Sequence, residues 1–290
     1  MKVSGFSFIR NAIKYDYPVV EALTSILPLC DEVVVAVGKS DDETLALVKN
    51  IHPSKIKIIE TVWDDSLREG GKVLAIETDK AFNAVSLDSD WAFYIQADEI
   101  LHEKYIDDVR SAMNHWKENK EIDGLLFDYL HFYGSYNYIG ESARWYRKEI
   151  RVVRNRKDIF SYKDAQGFRK QHNQKLKVKS ADAFIHHYGW VKEPKAMQKK
   201  QESFNKYWHN DNWMNKNVKK SELFDYSGID ALSAFKGTHP AVMEERIKRK
   251  NWEFDFDIST SRFSLKDKVK RTAEKIMGHR IGEYKNYILV

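Results

Sequence analysis

Two adjacent carboxylates, Asp98 and Glu99, follow a short apolar run at residues 91–95. The run is rich in aromatic and branched side chains, which is typical of a strand buried on both faces in a parallel sheet. Ligands of open α/β sheets bind beyond the carboxyl ends of the strands, and one or two carboxylates with phosphates are enough to hold Mg²⁺ or Mn²⁺. The pattern therefore predicts a site for a ligand, with a divalent ion, at these two carboxylates. The alternative is that both acids only begin the next helix, where negative charge is favoured.

Short apolar runs alternate with helical segments before this point. The runs at residues 3–9, 33–37, 56–59 and 91–95 are predicted strands, and segments with one apolar helical face lie between them. This order predicts an α/β fold with a mixed, mostly parallel, Rossmann-like sheet flanked by helices. Further strands are predicted at 124–132, 150–153 and 183–187. The chain has no G-x-G-x-x-G after the first strand and no Walker lysine motif, so the two common nucleotide fingerprints are absent.

The composition is that of a globular protein. With 290 residues, of which 42% are hydrophobic, the chain is long enough for one large domain or two small ones. Its single cysteine, Cys30, excludes an internal disulfide and fits a reducing compartment. A net charge of +5 is too small to indicate nucleic acid. No apolar stretch approaches the roughly 18 residues of a membrane span, and the first residues resemble a strand and not a signal peptide.

Four short motifs follow the predicted strands in a fixed order. They are Arg10 and Asn11 after the first strand, GKSDDET at 38–44 after the second, GGK at 70–72 before a helix, and QADE at 96–99 after the fourth. In this order and spacing they resemble the family 2 glycosyltransferases of the GT-A fold, over about residues 1–190. The resemblance predicts a GT-A domain at 1–192 and a mainly helical C-terminal extension at 193–290, packed on it or continuous with it.

The resemblance implies transfer of a sugar from a nucleotide-sugar donor to an acceptor hydroxyl, with inversion at the anomeric carbon and with Mn²⁺ or Mg²⁺ as cofactor. The implied partners are the donor and a glycan or lipid-linked acceptor, without nucleic acid. The implied location is cytoplasmic. The lysine-rich stretch at 195–220 also allows peripheral contact with an anionic membrane at its inner face.

The predicted donor-binding residues lie in loops at the carboxyl edge of the sheet. They are Arg10, Asn11, Asp41, Trp63, Gly71, Lys72, Gln96 and Asp98. Gln96 stands where the family's Asp-x-Asp metal motif has its first acid, so Asp98 is the firmer ligand. Two alternatives stay open: Ser40 or Asp41 caps the next helix, and Gly70 with Gly71 forms only a flexible turn.

Two further residues complete the predicted chemistry. In relatives a histidine after the acceptor region often binds the metal, which suggests His187; the alternative is a buried histidine that packs beside Tyr188 and Trp190. His186 should point the other way, because strand residues alternate. An inverting transfer needs a general base, and the family places it where Asp164 stands. The alternative for Asp164 is a turn aspartate bonded to its own backbone, and Asp128 is the reserve base.

Three other functions remain compatible with the pattern. A sugar nucleotidyltransferase would share the fold, but residues 6–10 lack its Gly-rich first loop. A non-catalytic nucleotide- or RNA-binding protein would use the basic, aromatic C-terminal half, although no RNA-binding module motif is present. An inactive glycosyltransferase-like protein is the third.

Overall fold

The structure is a computed structural model that describes residues 1–218, 221–259, 262–263, 269, 272, 274 and 284–290. The strands in this part of the chain are β1 Val3–Ile9, β2 Glu32–Gly38, β3 Ile56–Thr61, β4 Trp91–Tyr94, β5 Glu99–Leu101, β6 Gly124–Tyr133, β7 Tyr138–Gly140, β8 Lys148–Arg154, β9 Ile159–Tyr162, β10 Gly167–Lys170, β11 Gln174–Trp190, β12 Leu232–Ala234 and β13 Tyr287–Leu289. The α-helices are α1 Val19–Ile26, α2 Thr44–Lys49, α3 Lys72–Asn83, α4 Ile106–Trp116, α5 Pro194–Phe204, α6 Asp211–Asn217 and α7 Glu244–Lys248.

The strands form a mixed sheet in the order β3-β2-β1-β4-β8-β6-β11-β10-β9. Strands β1 to β4 pair in parallel. Strand β8 then runs antiparallel between β4 and β6, and β6 pairs in parallel with β11. The predicted fold class, an α/β fold with a mixed sheet flanked by helices, is confirmed.

Helices cover both faces of the parallel half, which explains why its inner strands, β1, β2 and β4, are almost entirely buried. Every residue of β2 is buried. Val33 and Val35 pack into one core with α1 and α4, whereas Val34 and Ala36 pack into the other core with α3. Alternate residues of a strand face opposite sides of a sheet, so a strand covered on both sides needs apolar residues at every position.

The alternative that Asp98 and Glu99 begin a helix is wrong. Neither Asp98 nor Glu99 begins a helix, because Glu99 is the first residue of β5. Strand β5 pairs antiparallel with β11, with Glu99 opposite His187. Asp98 therefore lies in the tight connection between two strands, at the carboxyl end of β4.

The C-terminal part adds both helices and strands. Strand β13 extends the sheet beside β11, and β12 pairs with β7. The predicted boundary at residue 192 stays a prediction. Among the described residues, no helix has the length and apolar character needed to cross a membrane.

A fully buried ion pair ties the site-bearing loops together. Arg151 donates to both carboxylate oxygens of Glu99, at 2.8 and 2.7 Å, and neither side chain is exposed. Glu99 also accepts from the Tyr129 hydroxyl and the Gln96 backbone N–H. Arg151 donates in addition to the Gln166 carbonyl at 2.8 Å. One pair thus fixes the loop after β4 and the loop between β9 and β10.

Glu99→Leu should lower the free energy of unfolding by about 3–5 kcal/mol, because it leaves the Arg151 charge buried without its partner. Urea denaturation would measure the loss. Combining Glu99→Leu with Arg151→Met should recover much of it, since no buried charge then remains. Asp88→Ala, which removes only an exposed pair with Lys2, is the control and should leave the midpoint unchanged. A Glu99→Leu midpoint equal to that control would contradict this role.

Candidate functional site

A cavity of about 610 Å³ opens at the carboxyl edge of the parallel strands. Its walls come from the ends of β1, β6 and β11, the loops after β3, β4 and β9, and helix α5 with the turn that follows it. Lining residues therefore come from the predicted GT-A part and from the C-terminal part.

Most of the predicted site residues line this cavity. They are Arg10, Trp63, Gln96, Asp98, Asp164 and His187. The other four lie outside the lining. They are Asn11, Asp41, Gly71 and Lys72.

Asn11, after β1, and Asp41, after β2, lie outside the lining and are hydrogen-bonded to each other. The Asn11 side-chain oxygen accepts from the Asp41 backbone N–H at 2.8 Å, and Asn11 itself is buried. The Asp41 carboxylate pairs with Lys14 at the surface, 2.9 Å away. Neither Ser40 nor Asp41 caps α2; the carboxylate of Asp42 accepts from the Thr44 N–H instead.

Gly71 packs against Asp164 of the cavity wall, whereas Lys72 lies at the surface. Gly71 has a φ of 70°, and a Cβ at this position would come within 2.5 Å of the Asp164 Cβ. Its lack of a side chain therefore permits the approach of Asp164, in addition to the left-handed backbone that starts α3. The Lys72 ammonium lies at the surface, 3.4 Å from Glu69.

Asp98 is the most strongly paired acid of the cavity wall. Its Oδ2 accepts from the Lys200 ammonium at 3.2 Å, and its Oδ1 lies 3.7 Å from His187 Nε2. Burial alone would raise the pKa of Asp98, but Lys200, with smaller contributions from His187 and Lys192, outweighs burial and lowers the pKa to about 2. Asp98 is therefore ionised at neutral pH.

His187 points into the cavity, as predicted, and His186 points to the other side of the sheet. His187 Nδ1 lies 3.1 Å from His131 Nδ1. His186 contacts Tyr188 and His239 in a separate core. Burial lowers the pKa of His187, although Asp98 and Glu99 act in the opposite direction.

The donor set at Asp98 fits a divalent ion held by few protein ligands. The described residues contain no group of three or more His, Cys, Asp or Glu side chains arranged for a metal. Asp98 Oδ1 and His187 Nε2 are close enough to share one ion, and Mg²⁺ commonly takes its remaining ligands from waters and substrate phosphates. The Gln96 amide group donates to the Tyr94 hydroxyl and the Ala165 carbonyl, which leaves its own oxygen for a ligand.

Asp164 lies in the turn between β9 and β10, where Lys163 and Ala165 on either side have positive φ angles of 55° and 65°. Burial raises the pKa of Asp164, although hydrogen bonds from its own backbone and from Gln166 act against this rise. Asp164 thus lies in a turn and also lines the cavity, and its role as a base stays a prediction. The reserve base, Asp128, instead pairs with Lys148 at 2.7 Å and lines a second cavity of about 210 Å³.

Two groups of aromatic rings line the cavity. The Trp63 group consists of Phe8, Trp63 and Tyr207, with the Arg10 guanidinium 5.6 Å from the Trp63 ring. The Trp190 group consists of Tyr133, Trp145 and Trp190. Both groups present flat apolar faces, on which a planar base or the apolar face of a sugar ring can stack.

Lys200 was missed because it belongs to a lysine-rich segment that is typical of a solvated helix face. Its side chain is 9% exposed and also donates to the Gly189 carbonyl at 2.8 Å. The helical spacing of Met197, Lys200 and Phe204 was the available signal, since it places the lysine on the apolar face of α5. His131 was missed because its role depends on its pairing with His187 across β6 and β11.

Comparison with known proteins finds no matching family model and no matching curated protein. Solved structures match in part. S. aureus TarS 1–349 in complex with UDP is 15% identical over 77% of this chain and 68% of that chain, with a TM-score of 0.40. The chain spans 41% of another S. aureus TarS structure.

Two further structures show the same kind of likeness. Glucosyl-3-phosphoglycerate synthase from Mycobacterium tuberculosis, in complex with Mn²⁺, UDP and phosphoglyceric acid, is 17% identical over 45% of this chain and 43% of that chain, with a TM-score of 0.30. The 4-diphosphocytidyl-2C-methyl-D-erythritol synthase of Anaerococcus prevotii is 10% identical over 66% of this chain and 91% of that chain, with a TM-score of 0.37. These likenesses are partial, and the function proposed below rests on the side chains of this chain.

Lys200→Met should raise the pKa of Asp98 from about 2 towards its ordinary value, because the nearest positive charge is lost. An acid with a depressed folded-state pKa stabilises the fold above its unfolded pKa, and this stabilisation is lost as the pH falls through the folded pKa. The variant should therefore unfold in acid at a higher pH, and lose about 3 kcal/mol at neutral pH, the low end for a broken buried pair.

Circular dichroism during an acid titration would follow this unfolding. Lys199→Met is the matched control, because Lys199 is the neighbouring lysine on α5 and is exposed. Equal acid midpoints for Lys200→Met and Lys199→Met would contradict the pairing of Lys200 with Asp98.

Proposed function

We propose that this protein transfers a sugar from a nucleoside-diphosphate sugar to an acceptor hydroxyl, with inversion at the anomeric carbon. One observation carries the proposal. An ionised carboxylate with a histidine and a lysine, a second carboxylate with a raised pKa, and two groups of aromatic rings all line one cavity. This combination supplies a place for a diphosphate, a base for an acceptor, and surfaces for a nucleobase and a sugar.

The Trp63 group is the proposed site for the donor's nucleobase. Phe8 and Trp63 lie at the ends of β1 and β3, where α/β sheets bind nucleotides, and Tyr207 comes from the turn after α5. Gly38 at the end of β2 keeps this arrangement open, because a Cβ there would come within 2.4 Å of Trp63 Nε1. Since UDP is bound in the TarS and glucosyl-3-phosphoglycerate synthase structures, UDP is the first nucleotide to test.

The leaving diphosphate requires positive charge close to Asp98. A divalent ion, when held by Asp98 and His187, would stabilise the developing negative charge as a Lewis acid. Lys200 adds a fixed ammonium to the same place, because its bonds to Asp98 and to the Gly189 carbonyl hold it at the cavity wall. Preorganised charges of this kind stabilise charge that develops in a transition state.

Asp164 is the proposed general base. It lines the same cavity as Asp98 but lies in a different loop, as a group on the far side of the sugar must. A raised pKa makes its carboxylate a better proton acceptor from the attacking hydroxyl. Asp128 is the weaker candidate, because it is held by Lys148 in the second cavity.

The Trp190 group is the proposed contact surface for a glycan or lipid-linked acceptor. Aromatic side chains pack against the apolar faces of such molecules and leave their hydroxyls accessible. Peripheral membrane contact is part of this proposal, since Lys195 and Lys199 are exposed on α5 and could meet an anionic surface. The cytoplasmic location stays a prediction.

Asp98→Asn should abolish the Mn²⁺-dependent part of nucleotide binding, because the amide cannot supply the negative charge that the ion needs. Isothermal titration of UDP, with Mn²⁺ and with EDTA, would measure the difference. Asp128→Asn is the control and should retain the parental response, and circular dichroism would verify the fold of both variants. Equal Mn²⁺-dependent affinity in parent and Asp98→Asn would remove Asp98 from the site.

Asp164→Asn should lower kcat by about 10²-fold or more, the scale of general-base catalysis, with donor affinity little changed. The parent should lose activity as the pH falls through the Asp164 pKa, which lies above its ordinary value of 3.8, because only the ionised carboxylate accepts a proton. The variant should lack this acid limb.

Release of nucleoside diphosphate from a panel of nucleotide sugars would measure both effects and test the function itself. Turnover of Asp164→Asn at the parental rate, with the same pH profile, would assign the base elsewhere. A parent that folds and binds nucleotide but releases no sugar from any donor and acceptor pair would contradict the proposed function.

A further inference from the structure

His131 lies beside His187 but has no part in the proposed reaction. The two residues are register partners on the parallel strands β6 and β11, so their side chains project from the same face of the sheet. Aromatic rings hold the His131 imidazole in place: it stacks on Tyr129 and Trp145 and meets the edge of Tyr146. The orientation of His131 is therefore fixed by packing.

The hydrogen bonds of His131 determine which of its nitrogens carries a proton. Its Nε2 lies 2.7 Å from the backbone carbonyl oxygen of Tyr146. A carbonyl oxygen only accepts, so His131 Nε2 must donate. His131 is buried among aromatic rings, which favours the uncharged imidazole, and a neutral imidazole that carries hydrogen on Nε2 has a lone pair on Nδ1.

The position of the proton on His131 determines which nitrogen of His187 carries hydrogen. The two Nδ1 atoms are 3.1 Å apart, and one of them must donate to the other. Because His131 Nδ1 is the acceptor, His187 Nδ1 is the donor. Neutral His187 then has its lone pair on Nε2, which lies 3.7 Å from the Asp98 carboxylate. Lys200 pairs with Asp98 Oδ2, so the two acceptors that face each other are Asp98 Oδ1 and the His187 lone pair, and a cation between them would remove their repulsion.

We propose that His131 is a positioning residue that holds His187 as the Nδ1–H tautomer, so that the His187 Nε2 lone pair and the Asp98 carboxylate together form a divalent-cation site. The cation half of this inference rests on the proposed function, whereas the tautomer is a property of the protein alone. Outer partners that donate to or accept from a metal-binding histidine fix its ring and tautomer in this way, and their loss typically weakens metal binding 10–100-fold.

The tautomers can be measured directly without metal, donor or substitution. Protein labelled with ¹⁵N-histidine gives two-bond ¹H–¹⁵N correlations that distinguish Nδ1–H from Nε2–H imidazoles. We expect His187 in the Nδ1–H form and His131 in the Nε2–H form, each signal being assigned by its loss in a single variant. His187 in the Nε2–H form would overturn the inference.

Titration of Mn²⁺ alone, followed by electron paramagnetic resonance, tests the cation half. His131→Leu should weaken Mn²⁺ binding about 10–100-fold, because His187 is then free to adopt either tautomer. His131→Asn should retain most of the affinity, because its side-chain oxygen can still accept from His187 Nδ1–H. His186→Leu is the control. It removes a buried histidine of β11, the strand of His187, on the opposite face of the sheet, and this variant should bind Mn²⁺ like the parent.

The outcomes separate this inference from the proposed function. Unchanged Mn²⁺ affinity in a folded His131→Leu variant, or no Mn²⁺ binding by the parent, would overturn the inference. If His131→Leu fails to fold, the tautomer spectrum of the parent still decides. Normal Mn²⁺ binding and the expected tautomers, with no sugar transfer from any donor, would contradict the proposed function and leave the inference standing.

Discussion

The buried pair between Glu99 and Arg151 is the interaction on which the rest of the site depends. Its two side chains are unexposed, so each charge is tolerable only because the other is present. Glu99 accepts a hydrogen bond from the Gln96 N–H in the loop after β4, and Arg151 donates one to the Gln166 carbonyl in the turn before β10. Glu99, the acid next to Asp98, therefore serves as an anchor for two of the loops that line the cavity.

A second constraint is the balance of charge around Asp98. Lys200 and Lys192 are both buried, and burial lowers the pKa of Lys192 to about 7. A carboxylate in such a place attracts cations strongly, because electrostatic interactions are stronger where water is excluded. The proposed diphosphate would balance the charge of Lys200 and of a bound ion. Lys200 comes from α5, so the C-terminal part contributes a charged group to the cavity wall.

Local patterns predicted the elements well where burial alone determines the strand. Strands β1, β2 and β4 are almost entirely buried because helices cover both of their faces, and the residues at their carboxyl ends could be located from the sequence. Six of the ten predicted site residues line the cavity, including Asp98 and Asp164.

The misses have a common physical cause. The direction in which a loop side chain points depends on its partners, so Asn11 and Lys72 could not be placed from strand ends alone. Lys200 and His131 depend on how α5 packs and on the register of β6 with β11, which are properties of contacts distant in the sequence. The position of Asp98 and Glu99 after an apolar run does not distinguish them, and only the resemblance of QADE to the Asp-x-Asp motif singled out Asp98; the anchoring role of Glu99 depends on Arg151, which is distant in the sequence.

The most direct test of the proposed site is a crystal structure of the protein with Mn²⁺ and the nucleoside diphosphate that stabilises it most, with anomalous scattering used to locate the manganese. We expect an anomalous peak against Asp98 and His187, with the diphosphate beside it and the base against the Trp63 group. A nucleotide bound outside this cavity, or a manganese peak away from Asp98, would contradict the proposed site.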